Sequence, residues 1–154
     1  MMHLPLLRRR FGVHRARPRR AAAALEFAIV APLLLLIFTG MMEFSRAMTV
    51  LAILANAART GARAAAITPG TYSDVRTMVE AVLTPAGLSG TETIVVEVNG
   101  VAVADDATFA ATATPGSAIA VRVSIPYDRI SWLPASRFLA GKTLREAAVM
   151  QKEG

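Results

Sequence analysis

The sequence predicts an α+β fold: a long N-terminal transmembrane helix followed by a small antiparallel sheet domain. Three observations carry this. The run Phe27 to Met42 is sixteen residues without a charge. Apolar residues then recur at 3, 4 spacing through Ala47, Val50, Leu51, Leu54, Ala55, Ala58, Ala62 and Ala65, the mark of an amphipathic helix. Downstream, TIVVEV and AIAVRVSIPY alternate β-branched and other residues with period two, the mark of half-buried strands.

Taken in order, residues 1–21 read as a basic cytoplasmic leader, with Pro5, Pro18, seven arginines and no acidic residue. Residues 22–67 read as one helix, rich in Ala, Leu and Met and interrupted only by Pro32, Gly40 and Gly61. Unbroken, at 1.5 Å per residue, it would run about 65 to 70 Å. Its membrane span is about 22–42, because a hydrocarbon core of about 30 Å needs about 20 apolar residues. Arginines crowd the N-terminal flank and only Arg46 lies close on the other, which places the N-terminus in the cytoplasm. Beyond Glu43 the small-residue stripe is suited either to its own domain or to another helix.

Residues 68–154 read as an extracytoplasmic α+β domain. Within it, 71–88 is a short helix whose Val75, Met78, Val79 and Val82 share a face, closed by Thr84-Pro85. Residues 93–98 form a strand, and Asn99-Gly100 is a strong hairpin signal leading to a return strand in VAVADD. Residues 107–117 read as loop or weak strand, 118–127 as a strand, and 128–141 as an irregular or briefly helical connection. KTLREAAVMQKEG is a strand or a helix; its alanines leave both open.

Charge and composition exclude several functions. The net charge of +6 arises in the head, since the 134 residues after Arg20 hold ten Lys plus Arg against eleven Asp plus Glu. No basic face remains downstream, and two tyrosines and one tryptophan make no base-stacking surface, so no nucleic acid is expected as a partner. There is no cysteine, and both histidines, His3 and His14, lie in the head. The Ser-His and Cys-His nucleophile systems and the common zinc sites therefore have no ligands downstream. Asp105-Asp106 reads as a solvated turn rather than a cation site. The expectation is a non-enzyme without metal or cofactor.

Glu26 sits near the start of the apolar run, where a carboxylate in hydrocarbon is costly. A secretory signal peptide seldom opens with a carboxylate, and no A-x-A site follows the apolar run. If a protease instead cut between Ala21 and Ala22, the chain would begin AAALEF, with a free amine within about 6 to 8 Å of Glu26 along the helix. Glu26 of one subunit could then meet the amine of its neighbour, cancelling charge and setting stagger. The alternative is a carboxylate that snorkels to the headgroups or favours the positive helix N-terminus, worth about 0.3 to 1 kcal/mol. Glu43 and Arg46 are three apart and are read as an intrahelical pair at the outer end of the span.

The order RRAAAALEFAIVAPLLLLIF, Glu43-Phe44-Ser45-Arg46-Ala47, then LANAARTGARAAA resembles the TadE-like pseudopilins of tight-adherence (Flp pilus) systems. The likeness covers about 19–66 and again 119–150, where VRVSIPY and LPASRFLAGKTLREAAVM stand. The resemblance implies a type IV pilin-like fold and a prepilin signal cut by a prepilin peptidase between Ala21 and Ala22. Glu26-Phe27 would be the assembly and processing motif, with Pro32, Glu43, Phe44 and Arg46 as family positions in the packing helix. It implies a minor pilin-like subunit in the bacterial cytoplasmic membrane whose partners are the peptidase, other pilin-like subunits, the Flp assembly machinery and membrane lipid. The other reading is an uncleaved single-pass envelope protein that binds a protein or polymer.

Overall fold

The computed structural model describes residues 18–67, 70–131 and 140–154. The leader up to residue 17, Thr68-Pro69 and the segment 132–139 lie outside the described residues, and with them most of the expectations for the head and for the 128–141 connection. The chain divides into two compact units, Met1–Thr39 and Gly40–Gly154.

Helix α1, Pro18–Ala66, runs through both. Its stretch in the first unit is rich in Ala and Leu, both strong helix formers. Pro32 lies inside the helix, where its missing N–H removes one backbone bond. Thr39 returns its hydroxyl to the carbonyls of Leu35 and Leu36, at 2.7 and 3.0 Å, so that this polar group needs no solvent. Its large apolar side chains, from Leu25 through Phe38, are exposed.

In the second unit α1 changes role and becomes a core helix. Ala47, Val50, Leu54, Ala57, Ala58, Ala62 and Ala65 are buried in one cluster with strands and a second helix. This settles the use of the small-residue stripe within the unit: it packs on its own domain. The buried line is rotated slightly from the predicted one, for Leu51 and Ala55 are half-buried while Ala57 and Gly61 are buried. Gly61 explains the choice of face. A Cβ there would stand 2.7 Å from a Val79 methyl and 3.3 Å from methyls of Val75 and Val121. The absent side chain lets α1 approach both α2 and the sheet.

Helix α2, Tyr72–Leu83, starts in a capping box: Thr71 and Asp74 exchange side-chain bonds with each other's backbone N–H. It buries Val75, Val79 and Leu83. Met78 is 46 % exposed, a correction to its predicted place on the core face; the 3, 4 spacing from Val75 and Val79 selects Leu83 instead. A 3₁₀ turn over Thr84–Ala86 follows, as Thr84-Pro85 foretold.

The sheet has four antiparallel strands in the order β2-β1-β3-β4. β1, Thr93–Val98, and β2, Val101–Val103, form the predicted hairpin, with Asn99 at φ 50° and Gly100 at φ 82°, as a type I′ turn requires. β3, Ala118–Pro126, is central and buries Ile119, Val121, Val123 and Ile125 on one face. β4, Thr143–Gln151, pairs along β3 from Ala118↔Gln151 to Pro126↔Thr143, which resolves the C-terminal segment as a strand.

The region 107–117 departs from expectation. Asp106–Thr112 is a helix, α3, and Asp105 is its N-cap, accepting from the Thr108 N–H at 2.7 Å. Asp106 accepts from the Ser73 N–H at 2.8 Å and the Ser73 hydroxyl at 3.0 Å. The Asp105-Asp106 pair is thus not a solvated turn: one carboxylate caps α3 and the other ties α3 to the start of α2. Phe109 is the residue α3 buries.

Candidate functional site

The predicted site residues fall into two groups. Ala21, Ala22, Glu26, Phe27 and Pro32 lie on the first-unit part of α1 and are all exposed, Phe27 by 69 %. Ala22 and Glu26 are four residues apart on one helix face, a rise of about 6 Å. Within the helix bearing them, Ala21–Ala66, an 18-residue window is apolar enough to cross a bilayer and none of it is buried. This surface is a long apolar helix with one carboxylate near its beginning.

Glu43, Phe44 and Arg46 belong to the second unit. Phe44 is 62 % exposed, while Glu43 and Arg46 are half-buried. Glu43, expected as half of an intrahelical pair at the outer end of the span, also bonds to residues outside α1. The Tyr127 hydroxyl donates to the Glu43 carboxylate and lies 3.3 Å from the Glu43 carbonyl oxygen. The Ser131 hydroxyl stands 3.4 Å from both carboxylate oxygens. Tyr127 opens the 3₁₀ turn after β3, Tyr127–Arg129, and its ring is fully buried. Burial first, then the bond to Glu43 and the Glu43 charge, push the Tyr127 phenol up to about 12, while the Arg46 charge pulls the other way. A half-buried carboxylate satisfied by two hydroxyls is a fastening between α1 and the corner of the sheet.

A second fastening closes the other end of α1. Lys152, at 9 % exposure, donates from Nζ to the carbonyls of Ala65 and Ile67, each at 3.1 Å, and stands 5.8 Å from the centre of the Phe109 ring. The Glu153 N–H donates to the Ala66 carbonyl at 2.9 Å. A cation on the orphan carbonyls of a helix C-terminus satisfies them and complements the helix dipole. Neither fastening was found from sequence. Tyr127 follows Glu43 by 84 positions and Lys152 follows Ile67 by 85, beyond the reach of any local pattern.

Among the described residues no group of three or more His, Cys, Asp or Glu could hold a metal ion. The Glu43, Tyr127 and Ser131 contacts tie α1 to the turn that follows β3.

Residues 21–63 match the model of the TadE-like protein family. The match takes in Ala21, Ala22, Glu26, Phe27, Pro32, Glu43, Phe44 and Arg46 and ends just before the last turn of α1. No curated protein and no solved structure matches the chain.

Proposed function

We propose that this chain, TadE-like over residues 21–63, is a non-enzymatic pseudopilin that supports assembly of tight-adherence (Flp-type) pili. One observation carries the reading: the family match coincides with an exposed apolar helix that bears a carboxylate one turn after Ala22. In this account residues 1–21 are a cytoplasmic leader, removed by a prepilin peptidase between Ala21 and Ala22. The helix holds the subunit in the cytoplasmic membrane over about 22–42, and residues 68–154 lie on the extracytoplasmic side.

The physics supports each step. An exposed apolar helix of this kind is stable in lipid or against other helices, and water would leave its whole surface unpaid. Cleavage creates an α-amine, and a charge partner makes Glu26 tolerable in an apolar setting. Supplied by a neighbouring pilin-like subunit, that pairing fixes axial stagger. Glu26→Gln keeps the shape and removes the charge. Cells carrying it should retain the protein in membranes and lose it from sheared pili, together with most of the pili. Unchanged piliation in Glu26→Gln cells would refute the registering role.

A further inference from the structure

The sheet ends on one side in β4, a strand of nine residues, and on the other in the short β2. The bonds at the two ends of β4 show which of its backbone groups face outward. The Tyr127 N–H donates to the Lys142 carbonyl at 2.8 Å, and the Lys152 N–H donates to the Ser117 carbonyl at 2.9 Å. Lys142 and Lys152 therefore face β3. Alternation along an antiparallel ladder then turns the N–H and C=O of Thr143, Arg145, Ala147, Val149 and Gln151 to the open side, and no described residue bonds to them. At the other edge the Asn99 N–H donates to the Ala118 carbonyl at 2.8 Å, so Val98 and Val96 face β2 and pair with Val101 and Val103. Ala102, and Ala104 just beyond the strand, are left facing outward.

The two edges match in composition. The first half of β4 carries Arg145 and Glu146, and charge on an edge discourages pairing. Its second half, Ala147 to Met150, has none: Val149 is 65 % exposed, and Ala148 and Met150 are half-buried at the margin of the core. The β2 edge is uncharged from Val101, also 65 % exposed, to Ala104. One register sets these two apolar segments fully against each other, with Val101 opposite Met150 and Ala104 opposite Ala147. In it the outward-facing pairs, Ala102 with Val149 and Ala104 with Ala147, exchange backbone bonds. A slip of two residues one way sets Val103 against Glu146, and the other way Val101 against Lys152. Beyond Ala104 the pairing stops, because Asp105 would face Glu146 and its carboxylate is already held by the Thr108 N–H.

Direction and height select the same register. Each strand is antiparallel to its neighbour, so β2 and β4 run opposite ways and a copy placed alongside brings its β2 antiparallel to β4. Within the second unit α1 runs in the direction of β4, since Glu43 meets Tyr127 beside the start of β4 and the Ala65 and Ile67 carbonyls meet Lys152 beyond its end. Two β4 strands paired antiparallel would point their α1 helices in opposite directions, which one membrane forbids. Copies joined β4 to β2 keep α1 parallel and on the same face. Ala102, Glu97, Ala120 and Val149 stand in one row across the sheet. Setting Ala102 of the next copy opposite Val149 continues that row, so neighbouring copies stand level, as a shared membrane requires.

We propose that copies of this chain associate side by side through their sheet edges, residues 147–150 of one pairing with residues 101–104 of the next. The proposal takes the common direction of α1 from the membrane reading above and needs neither cleavage nor pili. The chain has no cysteine, so introduced thiols report alone. Ala102→Cys and Val149→Cys, both at exposed positions, would be combined in the full chain in cell membranes and oxidised with copper phenanthroline. Within one copy the two positions are three strand spacings apart, about 14 Å, too far for a disulfide. The combination should give a ladder of covalent multimers linked from position 102 to position 149, and neither single variant should give one. Thr143→Cys in place of Val149→Cys, about 20 Å along the strand, should lose the ladder, and Ala104→Lys added to the working pair should lose most of it. Absence of multimers from the pair, an equal ladder from the Thr143 control, indifference to Ala104→Lys, or dimers from Ala147→Cys alone, which mark β4 paired with β4, would each overturn the proposal. Carbonate extraction separates the two levels. A chain that stays embedded without cross-links removes only the edge pairing, whereas cross-links in a chain that carbonate releases remove the membrane reading and leave the pairing.

Discussion

Alkaline pH should loosen the second unit through a single bond, the one between Tyr127 and Glu43. The Tyr127 ring is fully buried and its hydroxyl donates to the Glu43 carboxylate. Ionising the phenol would place a second negative charge against Glu43 and remove the donor. Burial of the phenol first, and then the bond to Glu43 and the Glu43 charge, raise its pKa from 10.0 to about 12. At about 1.4 kcal/mol per unit the shift corresponds to folding free energy on the order of 3 kcal/mol. The sign follows from which state binds the proton more tightly. The folded protein does, so this stabilisation is complete below pH 10.0, declines as the unfolded chain ionises first, and is gone above about pH 12. Tyr127→Phe keeps the ring and removes the hydroxyl. It should cost about 1.5 to 3 kcal/mol at neutral pH, the worth of a hydrogen bond to a charged group. Lysines also titrate in this range, so the informative quantity is the difference between parent and variant. Thermal unfolding of the full chain in detergent, followed by near-ultraviolet circular dichroism, should show that gap narrowing between pH 10.0 and about 12. Phenolate absorbance in a Tyr72→Phe background reports Tyr127 alone, since the chain has two tyrosines. A Tyr127 titration at the ordinary phenol value, or a gap that does not change with pH, would refute the reasoning.

Two helix glycines should respond in opposite directions. A Cβ on Gly40 meets nothing within 4 Å, so Gly40→Ala should add up to about 1 kcal/mol of helix stability. At Gly61 the same change drives a methyl to 2.7 Å from Val79 and should give a net loss of about 1 kcal/mol, with Gly61→Leu failing to fold. Both are read as melting temperatures in detergent. Lys152→Met removes the donor to the Ala65 and Ile67 carbonyls and should cost about 1.5 to 3 kcal/mol, with faster amide exchange in the last turn of α1. Asp105→Ala removes the cap of α3 and should speed amide exchange along α3, whereas Asp105→Asn should retain most of the protection. The bonds from Thr108 hold the Asp105 carboxyl below its ordinary value of 3.8, so the contribution of this cap is present above that value and fades as pH falls below it. Amide exchange of α3 across acidic pH measures it.

What could be read from the sequence was what repeats locally. β1 and its turn, β3, α2 and the long α1 each declare a period or a terminator within a few residues, and each stands where the pattern put it. α3 was lost because DATFAAT is mostly Ala and Thr, with Phe109 its one large apolar residue and thus no stripe to detect. Its one signal was the Asp105 cap, which the question of cation binding obscured. β4 was ambiguous for a similar reason, since Ala147 and Ala148 favour helix and only the full-length ladder to β3 overrides them. The match to TadE-like proteins was legible in the Glu26-Phe27, Pro32 and Glu43-Phe44 order. The structural use of Glu43 was not, because Tyr127 reaches it only once the chain has folded. A carboxylate three residues from an arginine looks like a surface pair until a buried phenol is placed against it.

The central claim is that the helix is a processed pilin segment, and the mature N-terminus tests it most directly. The protein would be recovered from membranes of cells with and without the prepilin peptidase, and its start read by intact mass and peptide mapping. The account predicts a chain beginning at Ala22 in the first and an unprocessed Arg-rich head in the second. A head retained in both would contradict it, and would leave an uncleaved membrane-anchored protein whose Glu26 never acquires an α-amine as partner.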